Sequence, residues 1–149
     1  MRVAVGSDHA GFPLKEAVIS FLGQQNVDFK DFGAYSPDSV DYPDIGFQVA
    51  EAVANGDFDR GILICGTGIG MSIAANKAPG IRAALCKDTY CALVAREHND
   101  ANILCLGSRT TEEKPAFDIT RTFLATDFSG EERHAKRIRK ITEIERKGG

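Results

Sequence analysis

A cysteine followed by three alternating glycines is the part of this sequence best suited to chemistry. The apolar run 61–65 ends at Cys65, and Gly66, Gly68 and Gly70 then open a stretch of helix-forming residues. Small residues let backbone N–H groups approach a ligand closely, and the positive end of a helix stabilises a thiolate or a bound oxyanion. The pattern predicts a reactive cysteine beside an anion-binding loop. A tight turn around a merely buried cysteine has the same spacing, so both interpretations stand on these residues alone.

Three familiar loop motifs do not fit this segment. A Walker loop ends in Lys-Ser or Lys-Thr, whereas Gly70 is followed by Met71-Ser72. A dinucleotide-binding fingerprint has the spacing G-x-G-x-x-G after an early strand, whereas these glycines alternate after the third predicted strand. A cysteine-dependent phosphatase would have an arginine at the position of Met71, which disfavours that class.

The elements that must position Cys65 follow from periodicity. Apolar runs at 2–6, 26–31, 61–65, 81–86 and 102–106 alternate with stretches of helical periodicity, and 111–125 is the fifth of these. This alternation predicts an α/β fold: a Rossmann-like three-layer sandwich with a five-stranded parallel sheet and helices on both faces. The helix after the glycine loop is expected to stop at Pro79-Gly80.

Composition limits the functional classes. The 149 residues predict one domain, 1–149, with 43% hydrophobic and 26% charged residues, and the net charge of −3 argues against nucleic acid as a partner. No segment has transmembrane length, so we expect no membrane partner. The first strand begins at Arg2, so we expect no signal peptide and a cytoplasmic location. The four cysteines show no C-x-x-C and no zinc spacing, and we expect no disulfide, metal or cofactor.

The tail is basic within an acidic protein. From Glu131 to Gly149 it contains seven Lys/Arg and four Glu, and it is expected to form a C-terminal helix. Arg133 and Arg137 lie four residues apart, which would place both guanidinium groups on one helix face, where they could bind a phosphate. A solvated helix with salt bridges is the equally open alternative.

Other candidate residues follow predicted strands or end a helix. Ligands of parallel sheets bind beyond the carboxyl ends of the strands, where Asp8 and His9 follow the first strand. Both could bind sugar hydroxyls or phosphate, or they could cap a helix. Tyr42 could likewise face this edge or only begin a helix, and His98 could transfer protons or bind the last carbonyls of its helix.

Several motifs together resemble those of the B-type ribose-5-phosphate isomerases. These are Asp8-His9, Asp41-Tyr42-Pro43, the segment 65–77, Gly80-Ile81-Arg82-Ala83-Ala84, and His98-Asn99-Asp100-Ala101-Asn102, in order along nearly the whole chain. The same superfamily contains the galactose-6-phosphate isomerase subunits. One difference lies near the end, where the family has Gly-Gly-Arg-His and this chain has Gly130-Glu131-Glu132-Arg133-His134.

The resemblance implies an aldose–ketose isomerase, an intramolecular oxidoreductase that interconverts ribose 5-phosphate and ribulose 5-phosphate through an enediolate without a metal. It implies Cys65 as the base, with Thr67 and the amides from Gly66 to Gly70 stabilising the enediolate oxygen. His98 would serve ring opening. The substrate-binding residues would be Asp8 and Asn99 for hydroxyls, with Tyr42 beside them, and His9, Arg109, Arg133 and Arg137 for phosphate.

The sequence also predicts that two chains share each site. Cys65 ends a strand, whereas His98 precedes the last strand, so the two should lie at opposite edges of the sheet, too far apart for one sugar phosphate. The family resemblance likewise implies a homodimer or a dimer of dimers with sites between subunits. Two alternatives remain: an isomerase of galactose 6-phosphate or allose 6-phosphate, and a non-catalytic sugar-phosphate-binding protein.

Overall fold

Strands and helices alternate throughout the computed structural model, which describes residues 1–148. The strands are β1 (Arg2–Ser7), β2 (Asp28–Asp31), β3 (Arg60–Cys65), β4 (Ala83–Leu85) and β5 (Ile103–Gly107). The helices are α1 (Phe12–Gln24), α2 (Tyr42–Ala54), α3 (Ile69–Ala75), α4 (Thr89–Glu97), α5 (Glu113–Ala125) and α6 (Glu132–Gly148).

All strand pairs are parallel, and the sheet order is β2-β1-β3-β5-β4. The chain leaves β1 toward one side of the sheet for β2 and then returns to add β3 on the other side. β1 and β3 therefore flank the switch point of this topology, where the connections diverge and leave a crevice at the carboxyl ends of the strands.

Two apolar layers cover the sheet. On one face α1, α4 and α5 pack against alternate residues of the central strands, among them Val5, Ile64 and Leu106. On the other face α2 and α3 pack against the intervening residues, such as Ala4, Leu63 and Cys105. Because both faces are buried, the central strands are almost continuously apolar. The predicted three-layer α/β fold is confirmed.

The third helix is shorter than the sequence predicts. It ends at Ala75 and not at Pro79-Gly80, so that boundary was wrong. The side chain of Asn76 explains the difference: its Oδ1 accepts a hydrogen bond from the Ala83 N–H at 2.8 Å, and its Nδ2 donates to the Ala83 carbonyl at 3.0 Å. Asn76 thus ties the end of α3 to β4, and the intervening residues form turns.

The basic tail forms α6, as predicted. Most of its side chains are exposed, and His134 is its one residue that is buried within the described chain. Glu145 accepts a hydrogen bond from the Gly80 N–H at 3.1 Å, and His134 contacts the end of α4. No helix within residues 1–148 combines the length and apolar character that crossing a bilayer requires.

A buried arginine ties α4 to the segments around it. Arg96 is 2% exposed; it donates to the carbonyls of Ala101 at 2.6 Å and Thr126 at 2.9 Å, and it pairs with Asp100 at 2.8 Å. These contacts fix the turn between α4 and β5 and hence the position of His98.

Replacing Arg96 should destabilise the protein far more than replacing an exposed arginine. We expect Arg96→Ala to lower the free energy of unfolding by about 3 kcal/mol, because two backbone carbonyls and a carboxylate lose a charged donor. Arg139→Ala, which removes an exposed pair with Glu132, should cost less than about 1 kcal/mol. Urea unfolding of both variants measures the difference, and equal losses would contradict a structural role for Arg96.

Candidate active site

The sulfur of Cys65 lies at the start of the glycine loop, where β3 ends. Cys65 is 5% exposed, and its Sγ accepts a hydrogen bond from the N–H of Gly68 at 3.2 Å. Gly68 has φ = 79°, in the left-handed region that favours glycine, and this conformation turns its amide back toward the sulfur. The loop thereby holds the sulfur in a fixed position at the end of β3.

The other loop residues bring side chains of neighbouring elements close to Cys65. A Cβ atom at Gly66 would lie 3.0 Å from Nη1 of Arg109, so the missing side chain leaves room for this guanidinium. The Arg109 N–H donates to the carbonyl of Gly66 at 2.9 Å, which couples the segment after β5 to the loop. The ring of Tyr42, the first residue of α2, packs against Gly70 in the same way.

Thr67 is exposed at the tip of the loop. Its Oγ1 accepts a hydrogen bond from the N–H of Ile69 at 3.2 Å, which helps to begin α3. Its hydroxyl hydrogen remains available to a ligand oxygen, because a hydroxyl can donate while it accepts.

Together these residues line an open cavity of about 380 Å³ at the carboxyl edge of the sheet. The lining residues are Asp8, Tyr42, Cys65, Gly66, Thr67, Ile69, Gly70, Ile73 and Arg109. We call this the cysteine cavity. It contains a buried thiol, a carboxylate and a guanidinium, a set that can bind a polar anionic molecule and move a proton on it.

Asp8 and His9 lie where the sequence predicts them, after β1. Asp8 is 6% exposed, and its Oδ1 accepts a hydrogen bond from the Gly11 N–H at 2.9 Å, while Gly11 is the N-cap of α1. Asp8 therefore closes the turn before the helix and also faces the cysteine cavity. His9 accepts a hydrogen bond at Nδ1 from the N–H of Val40 at 3.3 Å, which fixes its ring beside the loop that precedes α2.

A buried lysine that sequence reasoning missed supports this end of β1. Lys15 is fully buried, and its Nζ lies 2.8 and 2.9 Å from the two carboxylate oxygens of Asp31. Asp31 also accepts from the N–H of Gly33, whose carbonyl accepts from the N–H of Ser7 at 2.7 Å. The pair thereby holds the strand end that carries Asp8. An amphipathic helix with one lysine on its apolar face is the only signal that the sequence offers.

The remaining predicted residues form a second group on α4 and α6. His98 follows the end of α4, and its ring stacks on that of His134 with centroids 4.2 Å apart and planes inclined by 13°. Arg133 and Arg137 lie on either side of His134 along α6, and both are exposed. We call these four residues the histidine cluster. Sequence reasoning had assigned no role to His134.

Asn99 lies next to the histidine cluster but lines another cavity. That cavity is formed by Arg82, Ile141 and Glu145, among others. The carbonyl of Asn99 accepts a hydrogen bond from Nε of Arg82 at 2.9 Å, and its own side chain is exposed.

The sheet register separates the two groups within one chain. Cys65 pairs with Gly107, whereas Ile103, the first residue of β5, pairs with Gly61. Four residues of strand span about 13 Å, and His98 precedes Ile103, so it lies beyond the opposite edge of the sheet. Neither His98 nor Asn99 lines the cysteine cavity.

Burial and neighbouring positive charges together lower the pKa of His134. Burial, then Arg133 and His98, lower the pKa of His134 below its ordinary value, and Glu131 opposes them. Within residues 1–148 no group of three or more His, Cys, Asp or Glu side chains is arranged to hold a metal ion.

A family model described as Ribose/Galactose Isomerase matches residues 3–141. The chain belongs to this isomerase family. It is 45% identical to ribose-5-phosphate isomerase B of Escherichia coli over 146 residues, which cover 98% of this chain and 97% of that protein. The predicted resemblance to the B-type ribose-5-phosphate isomerases is thereby confirmed.

Solved structures of the family share the whole fold. The structure of Clostridium thermocellum ribose-5-phosphate isomerase B covers 100% of both chains, with a TM-score of 0.98 and 54% identity. That of Mycoplasma genitalium ribose-5-phosphate isomerase B, solved with bound ribulose 5-phosphate, has a TM-score of 0.91 and 41% identity, over 97% of this chain and 96% of that one.

The segment before α6, in which this family member departs from the expected motif, places a carboxylate among the arginines. Glu131 Oε2 lies 3.0 Å from Nη2 of Arg133 and 3.2 Å from Nε2 of His134. Arg133 is thus paired in the isolated chain, and an incoming phosphate would have to compete with an exposed carboxylate for it.

Proposed function

We propose that this protein interconverts ribose 5-phosphate and ribulose 5-phosphate through an enediolate, with Cys65 as the base. The observation that carries the proposal is the buried thiol that accepts the Gly68 amide inside a cavity also lined by Asp8 and Arg109. Membership of the isomerase family, and similarity to ribose-5-phosphate isomerases B, support the choice of substrate.

Ring opening comes first, and we assign it to His98. The bond between C1 and the ring oxygen breaks, the ring oxygen gains a proton from the His98 imidazolium, and the imidazole so formed takes the proton of the C1 hydroxyl, so the step leaves the total charge unchanged. An imidazole suits this exchange because it gains and loses a proton near neutral pH. The product is the open-chain aldehyde.

Isomerisation then moves two protons. The Cys65 thiolate takes the proton from C2, and the electron pair of that bond forms the C1–C2 double bond while the negative charge moves to the oxygen on C1. Gly66, Thr67 and Gly70 line the cavity where this oxygen would lie, and we assign their amides and the Thr67 hydroxyl to it, because fixed donors stabilise the developing charge. The thiol returns its proton to C1, and the C2 hydroxyl proton passes to the oxygen on C1. The aldehyde has become a ketone, without a metal.

We assign the phosphate to arginines from both groups. Arg109 faces the cysteine cavity, and Arg133 and Arg137 extend from one α6 helix. Guanidinium groups bind phosphate with paired hydrogen bonds, and His9 can add one more beside them.

The histidine cluster and the cysteine cavity can meet only if two chains combine. The register places them at opposite edges of one sheet, which supports a homodimer, or a dimer of dimers, in which one chain supplies Cys65 and its partner supplies His98 and Asn99. In a two-fold dimer each subunit then completes the site of the other.

Cys65→Ala should abolish isomerisation without loss of fold or of sugar-phosphate binding, because only the base is removed. Turnover should fall at least about a thousandfold, within the range that general base catalysis contributes. Cys91→Ala is the matched control, since Cys91 lies on α4 away from the cavity, and it should retain wild-type kinetics. Near-normal turnover by purified Cys65→Ala would contradict the assignment of Cys65 as the base.

Arg137→Ala should weaken binding through the phosphate. Loss of one charge-assisted contact at a subunit interface should cost about 2–5 kcal/mol of binding free energy. Arg139→Ala removes an exposed positive charge two residues further along α6, on the opposite side of the helix from Arg137, and should change affinity little. Titrations with substrate and with inorganic phosphate measure both variants. If Arg137→Ala binds both ligands normally, α6 is only a solvated helix.

Mixing two inactive variants should restore activity if the site is shared. Cys65→Ala and His98→Ala subunits that exchange at random form dimers in which about a quarter of all sites combine a wild-type Cys65 with a wild-type His98. Mixtures of each variant with itself are the controls. Verified heterodimers that are no more active than either parent would rule out the shared site.

The sugar is tested in the same assay. Kinetics with ribose 5-phosphate, allose 6-phosphate and galactose 6-phosphate, measured side by side, compare the proposed reaction with the same chemistry on a longer sugar. Binding of all three without turnover would instead indicate a sugar-phosphate-binding protein.

A further inference from the structure

The stacked histidines leave one side chain without an assigned role. His134 is 4% exposed, and its Nε2 is buried with no hydrogen-bond partner in the described chain, although Glu131 lies 3.2 Å away in an unsuitable direction. A buried ring nitrogen without a hydrogen bond costs stability, so we expect the side chain of His134 to have a functional role that offsets this cost.

The two imidazoles lie in opposite helix fields. His98 caps the carboxyl end of α4, and its backbone N–H donates to the Val94 carbonyl at 2.8 Å. His134 lies in the first turn of α6, at the positive end of the dipole of that helix. Because the amino end of a helix disfavours a cation, the field of α6 favours a neutral ring at His134.

The surrounding charges act in the same direction. Arg133, Arg137 and His98 all oppose a positive charge on His134, and only Glu131, which Arg133 also binds, favours one. Near His98, Arg96 at the end of α4 pairs with Asp100 in the turn that follows, and Glu97 directly precedes His98 in the chain. Because the pKa of His134 is lowered in the folded chain, its contribution to stability is fully present above about pH 6.5. That contribution falls as the pH drops further, since the unfolded chain is protonated first.

We propose that His134 is a positioning residue: a neutral ring that holds the plane of His98 by stacking and leaves the exchangeable proton on His98. The inference rests on the proposed role of His98 in ring opening. It gives His134 no proton transfer of its own. Glu131 pairs with Arg133 and also lies beside His134, where its carboxylate favours a positive charge on the ring.

Two substitutions separate positioning from proton transfer and from a purely structural role. His134→Phe keeps a flat ring and removes both nitrogens, whereas His134→Ala removes the ring. We expect His134→Ala to lower kcat for ribose 5-phosphate by at least tenfold with KM changed less than threefold. His134→Phe should restore kcat to within about threefold of wild type and keep the pH dependence of kcat.

Two results would overturn the proposal. If both variants lose kcat equally and the pH profile loses a limb, His134 itself transfers a proton. If neither variant changes kcat while thermal unfolding shows lower stability, the ring serves only the fold.

An NMR titration tests the stack without substrate. The chain has three histidines, so the imidazole signals of His9, His98 and His134 can be resolved and assigned with single variants. We expect His134 to titrate below the ordinary range of an imidazole, and the ring-current shift on His98 to persist in His134→Phe and vanish in His134→Ala. A raised pKa of His134, or no ring-current shift on His98, contradicts the inference. Because this readout needs no turnover, it holds even if the proposed reaction fails.

Discussion

The candidate site depends on one hydrogen bond, from the Gly68 amide to the Cys65 sulfur. It requires a left-handed residue directly before α3, and that residue must be small because its neighbours in space include the backbone of Leu106. The same loop conformation leaves space over Gly66 for Arg109 and against Gly70 for the ring of Tyr42. A single backbone constraint thus fixes the thiol, the glycine loop and two side chains from other elements.

The topology explains why these groups meet. β1 and β3 are neighbours, but the helices that follow them, α1 and α3, cover opposite faces of the sheet. A crevice therefore opens between their carboxyl ends, and Asp8 and Cys65 face it from its two sides. The buried Lys15–Asp31 pair supports the β1 side through Gly33, so a polar interaction inside the fold helps to shape the cavity.

Sequence reasoning predicted the strands, the two-faced packing and the position of Asp8, Cys65 and the glycine loop at the carboxyl edge of the sheet, because these follow from periodicity and from the ends of parallel strands. Thr67 and Arg109 were named only through the resemblance to the isomerase family. It placed the end of α3 wrongly, since Pro79-Gly80 is a strong breaker and the Asn76 side chain that ends the helix earlier carries no local signal. Lys15, Arg96 and His134 were missed for a related reason. Each is a polar residue whose burial depends on a partner distant in the sequence, and no short-range pattern reports such a partner. The sequence also predicted that His98 and Cys65 lie at opposite edges of the sheet, and the sheet register agrees with that separation.

Isotope exchange is the most direct test of proton transfer by Cys65 through an enediolate. The protein is incubated with ribulose 5-phosphate in D₂O, and deuterium at C1 of the recovered ketose is measured by NMR. The account predicts that the wild-type protein introduces one deuterium at a single C1 position, that His98→Ala retains this exchange because the ketose has no ring to open, and that Cys65→Ala loses it. Conversion to ribose 5-phosphate over many turnovers with no deuterium in the sugar, or exchange that persists in Cys65→Ala, would contradict it.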